Sequence, residues 1–407
     1  TIQQLEKWAK IKGIDLLGTG DFTHPLWLKE LKENLTETEQ GILKTRTGYP
    51  FMLQTEISLI YSQGGKGRRI HLVVLAPSFS VVEQINDYLS KKGRLDYDGR
   101  PMFGISCPEF VEKLKSISKD IEIIPAHAWT PWYGVFGSKT GFDDLEECFQ
   151  DQTKQIHAID TGLSSDPTMN WRLSKLDKIN LVSFSDAHSF WPWRLGREAT
   201  IFSTNLSYKE IIKAIRTGEN LIGTIEVDPS YGKYHFDGHR NCNVRLEPKE
   251  SIKIKNICPV CKKPLTIGVL HRVETLADRP EGFIPENAKK FFRIIPLSEL
   301  IAYHQKSSVS GKNVWETYFK FINAFGTELN VLLKAPFEAL SQVTTKEFAS
   351  LIIKNREGKI PIQPGFDGVY GQPILSETQE QAKGQNQNQQ PLITKAQKTQ
   401  SDLTDFF

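Results

Sequence analysis

No apolar run in this sequence approaches the roughly 18 to 20 residues that a membrane-crossing helix needs, and no basic-then-apolar leader opens it. A soluble, cytoplasmic protein is therefore expected. Cysteine is scarce too: five in 407 residues, an odd count in a large chain, argues against a disulfide framework. An excess of one charge is also missing. With 51 Lys and Arg against 48 Asp and Glu, the net charge is +3, so any face that binds a polyanion must be built locally. At this length two or three domains are expected.

What the chain does have is a recurrence. Five apolar runs that read as strands end in, or carry, acidic or imidazole side chains. They are Ile14-Asp-Leu-Leu-Gly-Thr-Gly-Asp21-Phe-Thr-His24, Phe51-Met-Leu-Gln-Thr-Glu56, Ile70-His71, Ile121-Glu-Ile-Ile-Pro-Ala-His127 and Leu181-Val-Ser-Phe-Ser-Asp186-Ala-His188. In parallel α/β folds, loops after strand C-termini meet at one end, so residues far apart in sequence converge. The 3.6- and 2-residue periodicities predict helices at 1–12, 25–34, 80–92, 109–119, 142–150, 167–177 and 208–217. They predict strands at 14–18, 51–60, 69–76, 121–126, 156–160, 180–184, 198–202 and 221–227. Alternation of this kind points to an α/β layered or barrel domain with a largely parallel sheet. Gly64-Gly65-Lys66-Gly67 interrupts it as a hairpin turn. Pairing 61 with 68 sets 56 near 73 and 71 near 58, which makes Glu56 and His71 diagonal neighbours on one face.

Asp21, His24, Glu56, His71, His127, Asp186 and His188 form a mixed carboxylate and imidazole set that suits zinc, manganese or iron better than magnesium alone. Two or three such ions generate a hydroxide and clamp a phosphodiester. Glu56, His127, Asp186 and His188 are the catalytic candidates, and Asp160 is expected to support the ligands from behind. Aromatic and basic residues crowd the same segments: Trp129, Trp132, Tyr133, Lys139, Trp191, Trp193 and Arg194. Of these, Trp129, Trp132, Tyr133, Trp191 and Arg194 are the candidate contacts to DNA or an extruded base. Cys107 and Cys148 read as plain buried thiols.

A second motif, His239-Arg-Asn-Cys242, precedes Cys258-Pro-Val-Cys261 by fifteen residues. Two facing knuckles of this kind suit a closed tetrahedral zinc, with Cys242, Cys258 and Cys261 joined by His239, His235 or His271. The chain thus divides into a metal-dependent domain over 1–227, a zinc-binding module over 228–272 and a mainly helical domain over 273–373. A Gln- and Asn-rich linker, 374–399, then carries Gln400-x-x-Leu403-x-x-Phe406-Phe407. This peptide resembles the sliding-clamp-binding peptide of archaeal and eukaryotic replication and repair proteins, the proliferating-cell-nuclear-antigen type of clamp being the expected partner.

The order of Gly-Thr-Gly-Asp21-Phe-Thr-His24, Glu56, His71, Ala-His127 and Ser-Asp186-Ala-His188 resembles the polymerase and histidinol phosphatase (PHP) domain. The resemblance implies a distorted (βα)7 barrel with up to three metals. That family opens on a His-x-His strand, which is expected to lie before Thr1. Most members place the ligand His directly after Asp; here Phe22 and Thr23 intervene, leaving Asp21, His24 or both as ligand. Together with the zinc motif, Leu276-Ala-Asp-Arg-Pro-Glu-Gly282 and Pro364-Gly-Phe-Asp-Gly-Val-Tyr-Gly371, the sequence is similar to the endonuclease Q family to about Pro373. This resemblance implies a DNA repair endonuclease acting at hypoxanthine, uracil, xanthine or abasic sites. It would cut 5′ of the lesion, leaving a 3′ hydroxyl and a 5′ phosphate, with zinc, manganese or magnesium as cofactor. The alternatives are a PHP-type phosphoesterase on a small phosphate ester and a non-catalytic DNA- or clamp-bound adaptor.

Overall fold

The longest strands in the computed structural model, which describes residues 1–97 and 100–374, are the two flanking Gly64-Gly65. Before them come helix α1 (Ile2–Lys12), strand β1 (Leu17–Gly18), helix α2 (Pro25–Asn34) and the short strands β2 (Thr36–Glu37) and β3 (Leu43–Lys44). Thr1 caps α1 and Pro25 occupies the first turn of α2, as their residue types favour. The long pair is β4 (Pro50–Gln63) and β5 (Lys66–Ala76), antiparallel, with Tyr61 opposite Arg68, Ser58 opposite His71 and Glu56 opposite Val73. That is the register the turn dictates.

Alternation continues through α3 (Phe79–Ser90), β6 (Met102–Phe103), α4 (Cys107–Ile117), β7 (Glu122–Pro125), α5 (Leu145–Phe149), β8 (Ala158–Asp160) and α6 (Pro167–Asn170). It ends with β9 (Asn180–Val182), β10 (Ala199–Phe202), α7 (Tyr208–Thr217) and β11 (Leu221–Glu226). The fold is mixed α/β, but the expectation of a largely parallel sheet needs correction. In the main sheet β2-β3-β4-β5-β7 every neighbour is antiparallel, and only β1 and β6 join β4 in parallel. For the two longest strands the cause is the two-glycine turn, which reverses the chain between them. Parallel pairing persists in β8 with β9. Among the described residues the ladders form open sheets, and none closes on itself.

Beyond β11 lie β12 (Asp237–His239), β13 (Val244–Leu246), α8 (Pro248–Lys253), α9 (Val269–Leu276) and β14 (Lys290–Arg293). β14 pairs in parallel with β11, so a strand from the expected helical region completes the β10-β11-β14 sheet. Gly223 permits this approach, because a Cβ there would lie 1.9 Å from the Lys290 carbonyl. Helices α10 (Leu297–Gln305), α11 (Lys312–Phe325), α12 (Glu328–Leu333), α13 (Phe337–Val343) and α14 (Lys346–Arg356) follow, then the small hairpin β15 (Ile362–Gln363) and β16 (Gln372–Pro373). No described helix is long and apolar enough to cross a membrane. The tail after 374, including the linker and the candidate clamp peptide, lies outside the described residues.

A buried ion pair ties the first helix to the last group. Lys12 Nζ donates to Glu328 Oε1 at 2.7 Å and to the Pro192 carbonyl at 2.7 Å. Glu328 also accepts from Leu297 N at 2.9 Å and from Tyr318 Oη at 2.8 Å. Around this pair Trp8, Trp191 and Trp315 pack with ring centroids 5.5 to 5.9 Å apart. Glu328→Ala would strand a buried ammonium and two further donors. A loss of roughly 3–5 kcal/mol is expected in chemical denaturation, and a loss below about 1 kcal/mol would contradict this assignment.

Candidate metal centres

Because β4 and β5 pair in that register, Glu56 and His71 point to one face, and the turn after β7 brings His127 against them. His71 Nδ1 lies 2.8 Å from Glu56 Oε1, His127 Nε2 lies 3.3 Å from the same oxygen, and the two ring nitrogens are 3.1 Å apart. These three donor atoms could hold one metal ion together. Two nitrogens and a carboxylate oxygen meeting at one point suit a borderline divalent ion. His188 Nε2 lies 3.3 Å from Asp186 Oδ1.

The backbone is bent to achieve this. Asp21, His127 and Asp186, each the last ligand candidate of its strand or the start of its loop, have φ of 38°, 32° and 43°, a region that costs non-glycine residues energy. Asp160 holds His127 there. Its carboxylate accepts from His127 N at 2.7 Å, Phe184 N at 3.0 Å and Gly162 N at 3.2 Å, coupling the loops after β7, β8 and β9. Gly162, at φ 58°, admits no side chain, since a Cβ would sit 2.6 Å from that of His127. On the ring's other edge, His127 Nδ1 meets Thr130 Oγ1 at 2.8 Å. The loop bearing Asp186 is fixed by Arg197, whose Nε donates to the Ser185 carbonyl, and by Ser185 Oγ donating to the Glu198 carbonyl.

Electrostatics separate the two imidazoles. Burial drives His71 down to about 4, with the Glu56 hydrogen bond opposing it, so this ring is neutral. Burial pushes His127 down as well, but the Glu56 hydrogen bond and charge outweigh it, and the net shift is upward. Burial raises the Glu56 carboxyl, yet hydrogen bonds from His127 and His71 prevail and hold it well below the ordinary carboxylate range. Asp21 moves up, from burial first and from the Glu56 charge second. Burial lifts Asp160 to about 7 against its amide donors, the nearest being His127 N.

Sequence reasoning missed Arg100. Its Nη1 lies 2.9 Å from Glu56 Oε1 and 2.8 Å from His71 Nδ1, and its Nη2 lies 3.2 Å from His188 Nε2. It also missed Glu198 and Glu226, buried acids behind Asp160; Glu226 Oε2 accepts from Thr161 Oγ1 at 2.9 Å and from Ser183 Oγ at 3.1 Å. Arg100 stands before a proline in a loop, where residue type alone gives no signal. His24 is the N-cap residue of α2, without a side-chain capping bond.

The aromatic set divides. Trp129 is fully buried, its Nε1 donating to Asn170 Oδ1 at 2.8 Å and its ring against Phe136, so it is a core residue and is withdrawn as a base contact. Trp191 stacks on Trp193 at 5.2 Å within the tryptophan cluster. Arg194 lies 3.7 Å from Glu299. Tyr133, by contrast, stacks on His71 at 4.2 Å, and its carbonyl accepts from His71 N. Beside it opens a groove of about 560 Å³ lined by Tyr61, Arg68, Arg69, Trp132, Lys139 and Thr140.

The second motif also assembles. β12 and β13 form a hairpin with His239 at the end of β12 and Cys242 in the turn; the Cys258–Cys261 knuckle is closed by Lys262 N donating to the Cys258 carbonyl, and the segment after it joins the hairpin through paired backbone bonds between Gly238 and Thr266. The donor atoms of His239, Cys242, Cys258 and Cys261 all lie within 4.8 Å of one another, with His239 Nδ1 3.3 Å from Cys261 Sγ. Burial raises the Cys258 thiol, but the amides of Cys261 and Val260 prevail and bring it to about 6, which favours the thiolate. His271 is engaged elsewhere, 2.6 Å from Asp237 Oδ2, and His235 stacks on Phe236. Of the three candidate histidines, His239 is the one placed with the cysteines.

Comparison with known proteins places this geometry. Residues 296–359, which span α10 to α14, match the MJ0043 C-terminal domain family. The chain is 33% identical over 253 residues to the uncharacterized protein MJ0043 of Methanocaldococcus jannaschii, covering 60% of this chain but only 31% of that protein. It is 29% identical over 374 residues to the uncharacterized protein YqxK of Bacillus subtilis, 88% of each chain. Among solved structures it is similar to the lesion-specific endonuclease PfuEndoQ from Pyrococcus furiosus, with a TM-score of 0.82 and 29% identity over 93% of this chain and 91% of that one. An endonuclease Q bound to a 27-mer duplex with an abasic lesion at its active site gives a TM-score of 0.82 and 30% identity, over 93% of this chain and 92% of that one.

Proposed function

Because the chain belongs to the endonuclease Q family, we propose that it is a metal-dependent DNA repair endonuclease that cuts the phosphodiester 5′ of deaminated bases or abasic sites. The observation that carries this reading is the meeting of Glu56, His71 and His127, with the Asp186–His188 pair linked to them through Arg100, in a chain so similar to an endonuclease held on an abasic duplex. The ligand order fits a PHP-type domain over 1–227, and the four-residue cluster fits a zinc module over 228–272.

Glu56, His71, His127, Asp186 and His188, with Asp21 and His24 at the edge, would hold two or three divalent ions, which supply Lewis-acid charge and a water that ionises near neutral pH. The chain's own contribution is order. Asp160 and Gly162 fix the His127 backbone, Thr130 orients its ring, and His71 brings its Nδ1 to the same point. Arg69 and Lys139 line the groove beside Tyr133 and suit a phosphate backbone, while Trp132 and Tyr133 suit a base displaced from the stack. The clamp peptide at 400–407 would raise the local concentration of the enzyme at DNA.

Labelled duplexes carrying one abasic site, deoxyinosine or deoxyuridine, incubated with Mn²⁺ or Mg²⁺, test the proposal. Lesion-dependent nicks with 3′ hydroxyl and 5′ phosphate ends are expected. Absence of nicking by chain shown to hold metal would reject it, and turnover of a small phosphate ester alone would favour the phosphoesterase alternative.

A further inference from the structure

Arg100 reaches the metal-ligand cluster from an anchored base. The next residue, Pro101, accepts from Ser58 N at 3.0 Å, and Met102 and Phe103 then pair with Ser58 and Leu59 of β4, the strand that carries Glu56. The backbone at Arg100 is thus tied to the site, while the side chain, 24% exposed, has solvent on one side. Its guanidinium takes hydrogen-bonding positions on Glu56 Oε1 and His71 Nδ1 simultaneously, and its second nitrogen reaches His188. The Glu56 oxygen to which Arg100 Nη1 donates belongs to the group of donor atoms that would hold a metal with His71 and His127, so guanidinium and metal ion compete for the same place.

We infer that Arg100 is a resident cation of this site, displaced from Glu56 and His71 when a divalent ion binds, and that it then binds the phosphodiester of the substrate. The anchor at Pro101 keeps the displaced side chain within reach of His188, which its Nη2 already meets at 3.2 Å. Arginine suits that second role, since its planar fork matches phosphate oxygens and its charge does not titrate. The phosphate-binding half rests on the nuclease reading above; the competition half rests only on the ligand geometry.

Full-length Arg100→Gln and Arg100→Lys separate the two. In Mn²⁺ titrations without DNA, Arg100→Gln should bind the ion about tenfold more tightly than the parent, and Arg100→Lys should fall between. With saturating Mn²⁺, Arg100→Gln should bind an abasic duplex about tenfold more weakly, with a salt dependence shallower by about one counterion. Equal or weaker Mn²⁺ affinity in folded Arg100→Gln would overturn the competition. Unchanged duplex affinity and salt slope would overturn the phosphate role. If Arg100→Gln does not fold, the same two readouts on Arg100→Lys decide, because a lysine keeps the charge but loses the fork. A parent chain that binds Mn²⁺ but no abasic duplex would sink the nuclease reading while leaving the competition result standing.

Discussion

Glu56→Ala should abolish metal binding at the His71–His127 cluster and lower single-turnover nicking of an abasic duplex by at least about 10²–10³-fold, the scale of losing a group that stabilises transition-state charge. Glu56 Oε1 is the atom that His71, His127 and Arg100 share. Without it the three-residue cluster keeps two imidazoles facing a guanidinium and loses the one carboxylate of that cluster that offsets a divalent ion. The strand should survive the change, since β4 is fixed by its long ladder to β5 and by the buried Leu53, Ile57 and Leu59. Mn²⁺ titration and nicking on the same preparation check the prediction. Nicking within tenfold of the parent would mean that the remaining ligands suffice and that Glu56 is not central.

The contrast between Glu56 and Arg100 shows what the sequence made legible. Glu56 and His71 could be placed together because two glycines set a hairpin and a period-2 strand then fixes which side chains share a face. His127, Asp186 and His188 announced themselves as polar residues ending apolar runs. The sheet's direction was lost for the same reason the hairpin was found: alternating α and β segments suggest parallel strands, while the hairpin makes the dominant pairing antiparallel. Arg100 was invisible because nothing local dictates its direction; its position follows from the pairing of β6 with β4, a contact more than forty residues apart in the chain. Trp129 was misjudged because a tryptophan next to a ligand histidine reads the same whether its ring faces solvent or Phe136. Among the zinc candidates, spacing supplied three cysteines, and the choice of histidine needed the Asp237 hydrogen bond that occupies His271.

That hydrogen bond also sets the limit of the second large effect. The buried apolar cluster under the zinc motif contains only Val244, Cys258 and Leu265, too little to order the segment by itself. A zinc ion on the four donors would supply what this core lacks, since structural zinc in comparable modules contributes roughly 10–16 kcal/mol of apparent binding energy at neutral pH. Stripping the metal with a chelator, or Cys258→Ser, should therefore unfold the stretch from Gly238 to Ile267, with the loop at Gly365–Gly371 that leans on it, while the rest of the chain stays folded. The boundary falls there because Asp237 accepts from Gly268 N at 2.7 Å and is held by His271 and Ser251, while the neighbouring Arg272 donates to the Phe136 and Phe142 carbonyls of the main body. In hydrogen exchange, the amides of Cys258, Lys262 and Leu265 should lose protection, whereas those pairing β4 with β5 should keep it. Loss should spread to the loop at Gly365–Gly371, since Asp367 accepts from Arg240 N and Phe366 packs where a Cβ on Gly238 would otherwise stand. Full protection of the Cys258–Cys261 knuckle after the metal is gone would show that the segment folds on packing alone and would refute a structural role for zinc.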